Sequence, residues 1–278
     1  MGRLAYLFAG QGAQVVGMAS DVKDLPKVKN LFERAESVCA GVVEKMLCGP
    51  QEDLNRTLWT QPAMFLADLA YAYAREEETG APQAVCGFSV GEVPALCFAG
   101  SLSEEDALKA IVRRAQLMEE YTGRVQGCMI AVVGLEPGAV EALCDGKNTH
   151  PANYNSRKQT VVACAMSERE EFSARVKQAG GRAIPLKVSG MFHCPELAPE
   201  AEKFAEFLSA LNFQKPRMDV YANLTALPYA EDFVGTLSEQ MCSPVRFAAT
   251  VENMRAAGIE EFIEVGPGKV LTNLVQRG

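Results

Sequence analysis

The amino-acid sequence predicts an α/β fold in which a small α+β subdomain is inserted into a larger α/β domain. Two observations lead to this prediction. A short apolar run, Ala84-Val85-Cys86, leads into Gly87-Phe88-Ser89-Val90-Gly91 and then into a stretch of helical character, which is the strand–turn–helix order of a nucleophile elbow. Later in the chain, strand and helix patterns alternate over a short segment that lies between helix-rich segments.

The larger domain is expected to begin with a buried strand over residues 3–9. Apolar residues at helical spacing predict a helix over residues 28–40, and a second helix is expected over residues 63–75 with Pro62 in its first turn. After the elbow, Ser103 is expected to cap a further long helix, because an acidic residue follows it three positions on.

The inserted subdomain is predicted from three strand-like runs, at residues 128–133, 159–164 and 182–186, that alternate with two helical ones, at residues 137–144 and 168–178. This β-α-β-α-β order is typical of a small ferredoxin-like α+β unit. The sequence therefore predicts an inserted subdomain at residues 124–189. Residues 1–123 and 190–278 would form the larger, α/β-hydrolase-like domain that carries the elbow.

The C-terminal part returns to the larger domain. An amphipathic helix is expected over residues 199–211, a strand over residues 218–222 and the end of another helix at Met241. A last buried strand is expected over residues 262–265, just before Gly266.

Composition excludes several classes of protein. A net charge of −8 and a pI near 5.0 argue against general nucleic-acid binding. No stretch approaches the length of a membrane span, and the short apolar N-terminus does not fit a signal peptide. Nine scattered cysteines without a C-x-x-C pair, and only two histidines, argue against zinc and against a disulfide framework. A cytoplasmic protein with reduced thiols, without a metal or a redox cofactor, is therefore expected.

The pentapeptide at residues 87–91 makes Ser89 a candidate nucleophile. Its two glycines allow a sharp turn that exposes the serine hydroxyl, and the amide of Val90 would point at an oxyanion formed on an attacked carbonyl. The same pattern also arises by chance in a chain rich in glycine. The other glycine loop, Gly10-Gln11-Gly12, is a weak signal for a phosphate site, because the next glycine, Gly17, comes two positions too late for a dinucleotide-binding motif.

A serine hydroxyl needs a positioned base, and the chain has only two histidines. His150 lies in a polar, turn-like stretch and is predicted to be a surface-loop residue of the inserted subdomain. His193 lies where the chain re-enters the larger domain, and clefts form at such junctions. A lone histidine in an apolar run is often a core residue, but His193 is the only sensible partner for Ser89. Arg113 or Arg114 could bind a carboxylate in the cleft, and periodicity does not decide between them.

Short motifs that run from end to end resemble those of the malonyl-CoA:acyl-carrier-protein transacylases, the stand-alone acyltransferases of fatty acid and polyketide synthesis. Each motif is modest alone, but their order and spacing are specific. The matching stretches are LFAGQGAQ at residues 7–14, GFSVGE at 87–92, RAQLM at 114–118, Phe192-His193, Gln240-Met241 with Ser243-Pro244-Val245, and VGPGKVL at 265–271.

The resemblance implies a role for each catalytic candidate. Ser89 would be acylated, and His193 would serve as general base and then as general acid. The main-chain carbonyl of Gln240 would orient the histidine in place of a carboxylate. The amides of Gln11 and Val90 would form the oxyanion hole.

The resemblance also implies a binding site for the acyl group. Arg114 matches the arginine that pairs with the malonyl carboxylate, and Phe192 matches the aromatic residue of malonyl-selective members. Phe88 and Met118 would line the acyl pocket. The family usually has histidine at the position of Phe88, and a phenylalanine ring cannot donate the hydrogen bond that this histidine makes. Acyl affinity, rate or choice of acyl group would change accordingly.

The function that the resemblance implies is transfer of a malonyl group from malonyl-CoA to the phosphopantetheine thiol of an acyl carrier protein, through a malonyl-serine intermediate. The expected partners are the coenzyme A thioester and the carrier protein, with no nucleic acid and no membrane, and the expected state is a monomer. Lys187, Arg246 and Lys269 are candidates for contacts with the acidic carrier protein. An acyl hydrolase of the same fold and a catalytically silent docking protein are the alternatives, and the sequence does not choose between fatty acid and polyketide synthesis.

Overall fold

The computed structural model describes residues 2–188 and 190–277. Its strands are β1 (Arg3–Phe8), β2 (Ala84–Gly87), β3 (Gly127–Val133), β4 (Thr149–Ser156), β5 (Gln159–Ala165), β6 (Arg182–Pro185), β7 (Asp219–Tyr221) and β8 (Ile259–Val265). Its α-helices are α1 (Pro26–Val38), α2 (Val42–Cys48), α3 (Gln51–Leu54), α4 (Thr57–Thr79), α5 (Glu92–Phe98), α6 (Glu104–Thr122), α7 (Pro137–Leu143), α8 (Arg169–Gln178), α9 (Ala198–Leu208), α10 (Phe233–Glu239), α11 (Phe247–Ala256) and α12 (Val270–Arg277). Short 3₁₀ turns cover Ser89–Gly91, Met166–Glu168, Pro195–Leu197 and Gln240–Cys242.

The first sheet is parallel, with the strand order β7-β2-β1-β8. In its register Phe8 at the end of β1 lies opposite Gly87 of β2 and Val265 of β8. The carboxyl ends of these three strands therefore meet at one edge of the sheet. In open α/β sheets this edge is where ligands bind, and the loops that follow β1 and β2 are Gly10-Gln11-Gly12 and the elbow.

Helices cover both faces of this sheet, as the apolar run of β1 requires. Tyr6 and Phe8 pack with residues of α4, α5 and α6 in one core cluster. Ala5 and Leu7, whose side chains point the other way, pack with residues of α11 and α12 in a second cluster. The sheet is thus fixed from both sides, and the elbow at its edge rests on a rigid base.

The second sheet is antiparallel, with the strand order β4-β5-β3-β6. Its connections follow the order β3-α7-β4-β5-α8-β6 along the chain, which is a ferredoxin-like arrangement. Side chains of α7 and α8, such as Val140 and Phe172, pack on one face of this sheet in a cluster of their own. On the other face Met129 and Val161 belong to the main core cluster of the larger unit. The predicted fold class is confirmed.

The predicted domain boundaries are not tested in the same way. The strands of the second sheet lie between Gly127 and Pro185, inside the predicted insertion of residues 124–189. The boundary at Ser189 lies outside the described residues. The division at residues 123/124 and 189/190 stays a prediction.

The prediction for His150 was wrong. His150 does not lie in a surface loop but in β4, where its side chain is buried and its Nε2 lies 2.9 Å from Glu196 Oε1. Sequence analysis missed β4 because the segment THPANYNS is polar along both faces and so lacks the alternation typical of a strand. The strand is buried between β5 and the segment around Val245, whose main chain exchanges hydrogen bonds with it.

The start of α4 also differs from the prediction. The helix begins at Thr57, so Pro62 lies inside the helix and not in its first turn. Thr60 Oγ1 donates to the main-chain oxygens of Leu54 and Arg56 at 2.7 and 3.0 Å, and these bonds tie the start of the helix to α3. The earlier start places Gln61 in the buried interior.

No helix among the described residues is long and apolar enough to cross a membrane.

Candidate active site

The elbow follows β2 and depends on two close backbone approaches. A Cβ atom at Gly87 would lie 1.9 Å from the carbonyl carbon of Gly91, and one at Gly91 would lie 2.4 Å from the main-chain oxygen of Phe8. No other residue fits at either position. Ser89 between them has a φ of 54°, which is a left-handed conformation that costs a non-glycine residue on the order of 1–3 kcal/mol. This turn presents the Ser89 hydroxyl to the cleft.

The structure brings Ser89, His193 and Gln240 together as predicted. Ser89 Oγ donates to His193 Nε2 at 2.7 Å, and His193 Nδ1 donates to the main-chain oxygen of Gln240 at 2.8 Å. The carbonyl can only accept, so it fixes the proton on Nδ1 and leaves Nε2 as the acceptor. Burial and the neighbouring Arg114 lower the pKa of His193 to about 4. The imidazole is therefore neutral near pH 7 and able to take a proton from the serine.

Arg114 is the arginine that turns inward, and Arg113 remains partly exposed on the same helix. The Arg114 side chain is 1% exposed. Its Nη1 donates to Gln61 Oε1 at 2.7 Å, and its Nη2 donates to Gln240 Oε1 at 2.9 Å and to Ser89 Oγ at 3.2 Å. Burial lowers the pKa of Arg114 to about 10, so the guanidinium keeps its charge at neutral pH.

A cleft of about 550 Å³ opens above Ser89, between the carboxyl edge of the parallel sheet and the antiparallel sheet. One wall comes from the loop after β1 and from α12, and the other from Met129 of β3 and Val161 of β5. The predicted residues that line this cleft are Gln11, Phe88, Ser89, Met118, Phe192 and His193. Arg114, Val90 and Gln240 are buried and do not line the cleft, and Arg114 is connected to it through its hydrogen bond to Ser89 Oγ.

Phe88 occupies a defined position beside the nucleophile. Its ring makes an edge contact with Phe247 at a centroid distance of 5.5 Å, and its Cδ1 would lie 2.8 Å from a Cβ atom at Gly10. The ring thus fills the space between the loop after β1 and α11. This side of the cleft has an apolar surface and no hydrogen-bond donor from residue 88.

Of the two predicted oxyanion donors, one lies in the elbow and the other in the loop after β1. Val90 follows Ser89 in the 3₁₀ turn, and Gln11 lies in the loop after β1, where its Oε1 accepts from Thr57 Oγ1 at 3.1 Å. Because β1 and β2 are neighbours in the sheet, both amides lie near the end of the same strand pair. Their role as oxyanion donors stays a prediction.

Three buried polar residues of this site escaped sequence analysis. Asn223 holds the elbow, because its Oδ1 accepts from the Ser89 amide at 2.7 Å and its Nδ2 donates to the Gly87 carbonyl at 2.6 Å. Glu92 is fully buried next to it, and Gln61 accepts from Arg114. A signal existed only for Glu92, which directly follows the G-x-S-x-G motif.

The carboxyl group of Glu92 lies in an unusual environment, because it is fully buried. Burial raises the pKa of Glu92 to about 7, although hydrogen bonds from Tyr229 and Gln240 and the charge of Arg114 act in the opposite direction.

Within the described residues no cluster of three or more His, Cys, Asp or Glu side chains could hold a metal ion.

A serine–histidine pair on a nucleophile elbow, with a buried arginine beside it, is typical of the class of enzymes that move acyl groups through a serine ester. The comparisons with known proteins agree with this class. The sequence model of the acyl transferase domain matches residues 5–278. The malonyl CoA-acyl carrier protein transacylase of Bacillus subtilis is 34% identical over 287 aligned residues, which cover 100% of this chain and 90% of that protein.

Solved structures give the same result. The malonyl CoA-acyl carrier protein transacylase of Coxiella burnetii matches with a TM-score of 0.95 and 32% identity, over 99% of this chain and 90% of that one. A malonyl-transacylase solved in complex with a type II polyketide acyl-carrier protein matches with a TM-score of 0.94 and 33% identity, over 99% of this chain and 92% of that one. The chain belongs to the malonyl-CoA:acyl-carrier-protein transacylase family, within the acyl transferase domains, and the resemblance noted from its motifs is confirmed.

Proposed function

We propose that this protein transfers a malonyl group from malonyl-CoA to the phosphopantetheine thiol of an acyl carrier protein through a malonyl ester of Ser89. The observation that carries the proposal is the contact of a buried guanidinium with the nucleophile. Arg114 Nη2 lies 3.2 Å from Ser89 Oγ, which in turn lies 2.7 Å from His193 Nε2. A cation at this position selects an acyl group that carries a negative charge.

In the first half-reaction, neutral His193 takes the proton of Ser89 while the serine oxygen attacks the thioester carbonyl. The resulting oxyanion would be held by the amides of Gln11 and Val90. The intermediate collapses to the malonyl ester, and His193 returns the proton to the leaving coenzyme A thiolate. In the second half-reaction His193 takes the proton of the carrier-protein thiol, and the thiolate attacks the ester carbonyl. The intermediate collapses to the malonyl thioester of the carrier protein, and His193 returns the proton to the leaving Ser89 oxygen.

The guanidinium of Arg114 has unused capacity for a carboxylate. Its Nε is buried and has no hydrogen-bond partner within the part of the chain that the structure describes. Planar guanidinium groups bind carboxylates with two parallel hydrogen bonds. When the acyl group lacks a carboxylate, these bonds are not made, and their contribution to binding is lost.

Phe192 and Met118 would restrict the shape of the acyl group. Phe192 and Met118 are both buried and both line the cleft, and Met118 belongs to α6. An α-methyl branch would have to displace these side chains. Phe88 replaces a hydrogen-bond donor with an apolar ring, so the carboxylate would depend on Arg114 more than it does in relatives that have histidine at this position.

The carrier protein would dock at the mouth of the cleft. Lys187 lines the cleft and is exposed, whereas Arg246 and Lys269 are exposed but do not line it. Positive charges here would attract an acidic partner although the chain is acidic overall. We further propose that the enzyme acts as a monomer in the cytoplasm. We also propose that it needs no metal or redox cofactor, because the proposed steps use only groups of this chain.

Intact-mass measurement after brief mixing with malonyl-CoA tests the proposal. We expect a malonyl-sized adduct that is absent from the Ser89→Ala variant and is discharged by holo carrier protein to give malonyl-carrier protein. Discharge to water at the same rate with and without carrier protein would instead indicate an acyl hydrolase. Absence of any adduct would indicate a silent docking protein.

A further inference from the structure

A hydrogen-bonded chain beneath the cleft connects Arg114 to a second, oppositely charged side chain. Arg114 Nη2 donates to Gln240 Oε1 at 2.9 Å, and Nε2 of the same amide donates to Glu92 Oε2 at 2.7 Å. Glu92 is 0% exposed and Arg114 is 1% exposed. One amide group therefore separates a buried cation from a buried carboxyl group.

The position of Glu92 is fixed on all sides. Its Oε1 accepts from the Tyr229 hydroxyl, and its Oε2 accepts from the Asn223 amide at 3.2 Å besides the bond from Gln240. The Gln240 amide also donates to the main-chain oxygen of Ser89 at 2.8 Å. Both carboxyl oxygens are thus engaged, and the side chain cannot swing into the cleft to touch a substrate.

We propose that Glu92 is the buried counter-charge of Arg114, and that its negative charge weakens the hold of the guanidinium on the carboxylate of the bound acyl group. This inference rests on the proposed function, because it requires that Arg114 binds a malonyl carboxylate. Glu92 acts through Arg114 and Gln240, so it is a positioning residue.

The physical argument is a competition between two anions for one buried cation. Without substrate, Glu92 compensates the charge of Arg114, which burial would otherwise penalise severely. When a malonyl carboxylate arrives, two negative charges share one positive charge in a region from which water is excluded. The second anion binds less tightly because the first is already there. Moderate binding favours turnover, since a carboxylate held equally tightly in ground state and transition state lowers KM without raising kcat.

Titration of Glu92 adds a pH dependence to this effect. The charged or titratable groups around Glu92 are Arg114 from α6, Tyr229 after β7 and Cys86 from β2, and His193 lies next to Arg114. The pKa of Glu92 is about 7, that of His193 about 4 and that of Arg114 about 10, and burial raises the pKa values of Tyr229 and Cys86 far above neutral. Of these groups only Glu92 changes charge between pH 6 and 9.

The charge of Glu92 sets the direction in which affinity for the acyl carboxylate changes with pH. Below pH 7 Glu92 is mostly protonated and no longer competes, so the acyl carboxylate binds more tightly. Above pH 7 Glu92 is ionised and the affinity falls. The Glu92→Gln variant keeps the shape of the side chain and removes the charge, so it should behave at every pH as the wild type does at low pH.

Single-turnover acylation, followed by intact mass over a range of malonyl-CoA concentrations, measures the effect. At pH 8 we expect the half-saturating malonyl-CoA concentration of Glu92→Gln to be lower than that of the wild type by on the order of tenfold, which is the effect of one charge several ångströms away at an effective dielectric constant near 20. The two proteins should converge at pH 6. The half-saturating concentration of acetyl-CoA, measured as substrate or as competitor, should not change.

Two further variants keep the experiment decisive. Tyr229→Phe removes a donor to the ionised carboxylate, so the fall in malonyl affinity should move to higher pH in this variant even if Glu92→Gln fails to fold. Glu104→Gln is the matched control, because Glu104 also accepts a tyrosine hydroxyl, that of Tyr73 at 2.7 Å, but does not belong to this network. It should leave both thioesters unaffected.

Two results would overturn the inference and leave Glu92 with a purely structural role. One is a half-saturating malonyl-CoA concentration in Glu92→Gln that equals or exceeds that of the wild type. The other is an equal change in the half-saturating concentration of acetyl-CoA. Wild-type labelling by malonyl-CoA with normal discharge to carrier protein would show in that case that the proposed function survives. Absence of malonyl labelling in the wild type would reject the proposed function itself.

Discussion

Asn223 should decide whether the elbow keeps its shape, and Asn223→Ala tests this. The side chain is 3% exposed and satisfies two main-chain groups of the turn, the Ser89 amide at 2.7 Å and the Gly87 carbonyl at 2.6 Å. The alanine variant leaves both groups buried without a partner, at about 1–3 kcal/mol each. We expect the free energy of unfolding to fall by about 2–4 kcal/mol, since some relaxation will recover part of the loss.

The effect on acylation should exceed the effect on stability. Ser89 is held at a φ of 54°, and without the bond to Asn223 its backbone can relax away from this conformation. A displacement of about 1 Å at a reacting group costs on the order of a hundredfold in rate. We therefore expect the acylation rate to fall by roughly ten- to a hundredfold at temperatures where the variant remains folded.

The assays are urea unfolding and the rate of formation of the acyl adduct by intact mass. Asn253→Ala is a matched control, because Asn253 is also partly buried and donates to a main-chain oxygen, that of Ala226 at 2.9 Å, but does not belong to the elbow. It should lose about 1 kcal/mol and acylate normally. Wild-type acylation by Asn223→Ala would refute the reasoning, whatever its stability.

The pH dependence of stability, the choice of thioester and the packing of the elbow can each be tested in the same way. The contribution of His193 to the free energy of unfolding should fall by up to about 3 kcal/mol between pH 6.5 and pH 4, because its pKa is held at about 4 in the folded protein while the unfolded chain takes up the proton near 6.5. The raised pKa of Glu92 acts in the opposite direction over this range, so the measurement is the difference in free energy of unfolding between the wild type and His193→Gln, which should fall by that amount on acidification; a difference that does not depend on pH would contradict this. Arg114→Ala should lower kcat/KM for malonyl-CoA by at least a hundredfold and reduce or reverse the preference over acetyl-CoA, since the charged partner of the carboxylate is gone; equal losses for both thioesters in the acylation assay would contradict this. Gly91→Ala should prevent stable folding or abolish acylation, because its Cβ would lie 2.4 Å from the Phe8 oxygen; a soluble variant with normal thermal unfolding and normal labelling would contradict the close packing of the elbow.

The elements that sequence analysis predicted well are those whose signal is local. The strands β1 and β2 are short apolar runs followed by glycine, and the G-x-S-x-G turn needs its glycines for contacts only a few residues away or in the adjacent strand. His193 was found by elimination, because the chain has one other histidine. The buried position of Arg114 was left open by periodicity and was indicated only by the resemblance.

The parts that escaped prediction depend on contacts between distant segments. Strand β4 has no apolar alternation, and only its pairing with β5 and the contact near Val245 show why it is a strand. Asn223 and Gln61 carry no local motif, because each is recognised only by the partner it meets across the fold, the Ser89 amide and the Arg114 guanidinium. Polar residues of this kind look like ordinary loop or helix residues until the tertiary structure places them.

Gln240 shows how these distant contacts combine into one site. Its main-chain oxygen orients His193, its Oε1 accepts from Arg114, and its Nε2 donates to both Ser89 and Glu92. His193 has a φ of 58°, so both members of the serine–histidine pair lie in the left-handed region, and each conformation needs support from its surroundings. Gln240 therefore couples the geometry of the nucleophile and base to the electrostatics of the arginine.

The Gln240→Ala variant would keep the main-chain bond to His193 but leave Arg114 and Glu92 without their link. We expect this variant to lose its preference for malonyl-CoA while the serine–histidine contact stays intact. The measurement is the ratio of malonyl to acetyl labelling. A ratio equal to that of the wild type would show that the Gln240 amide does not couple Arg114 to Glu92.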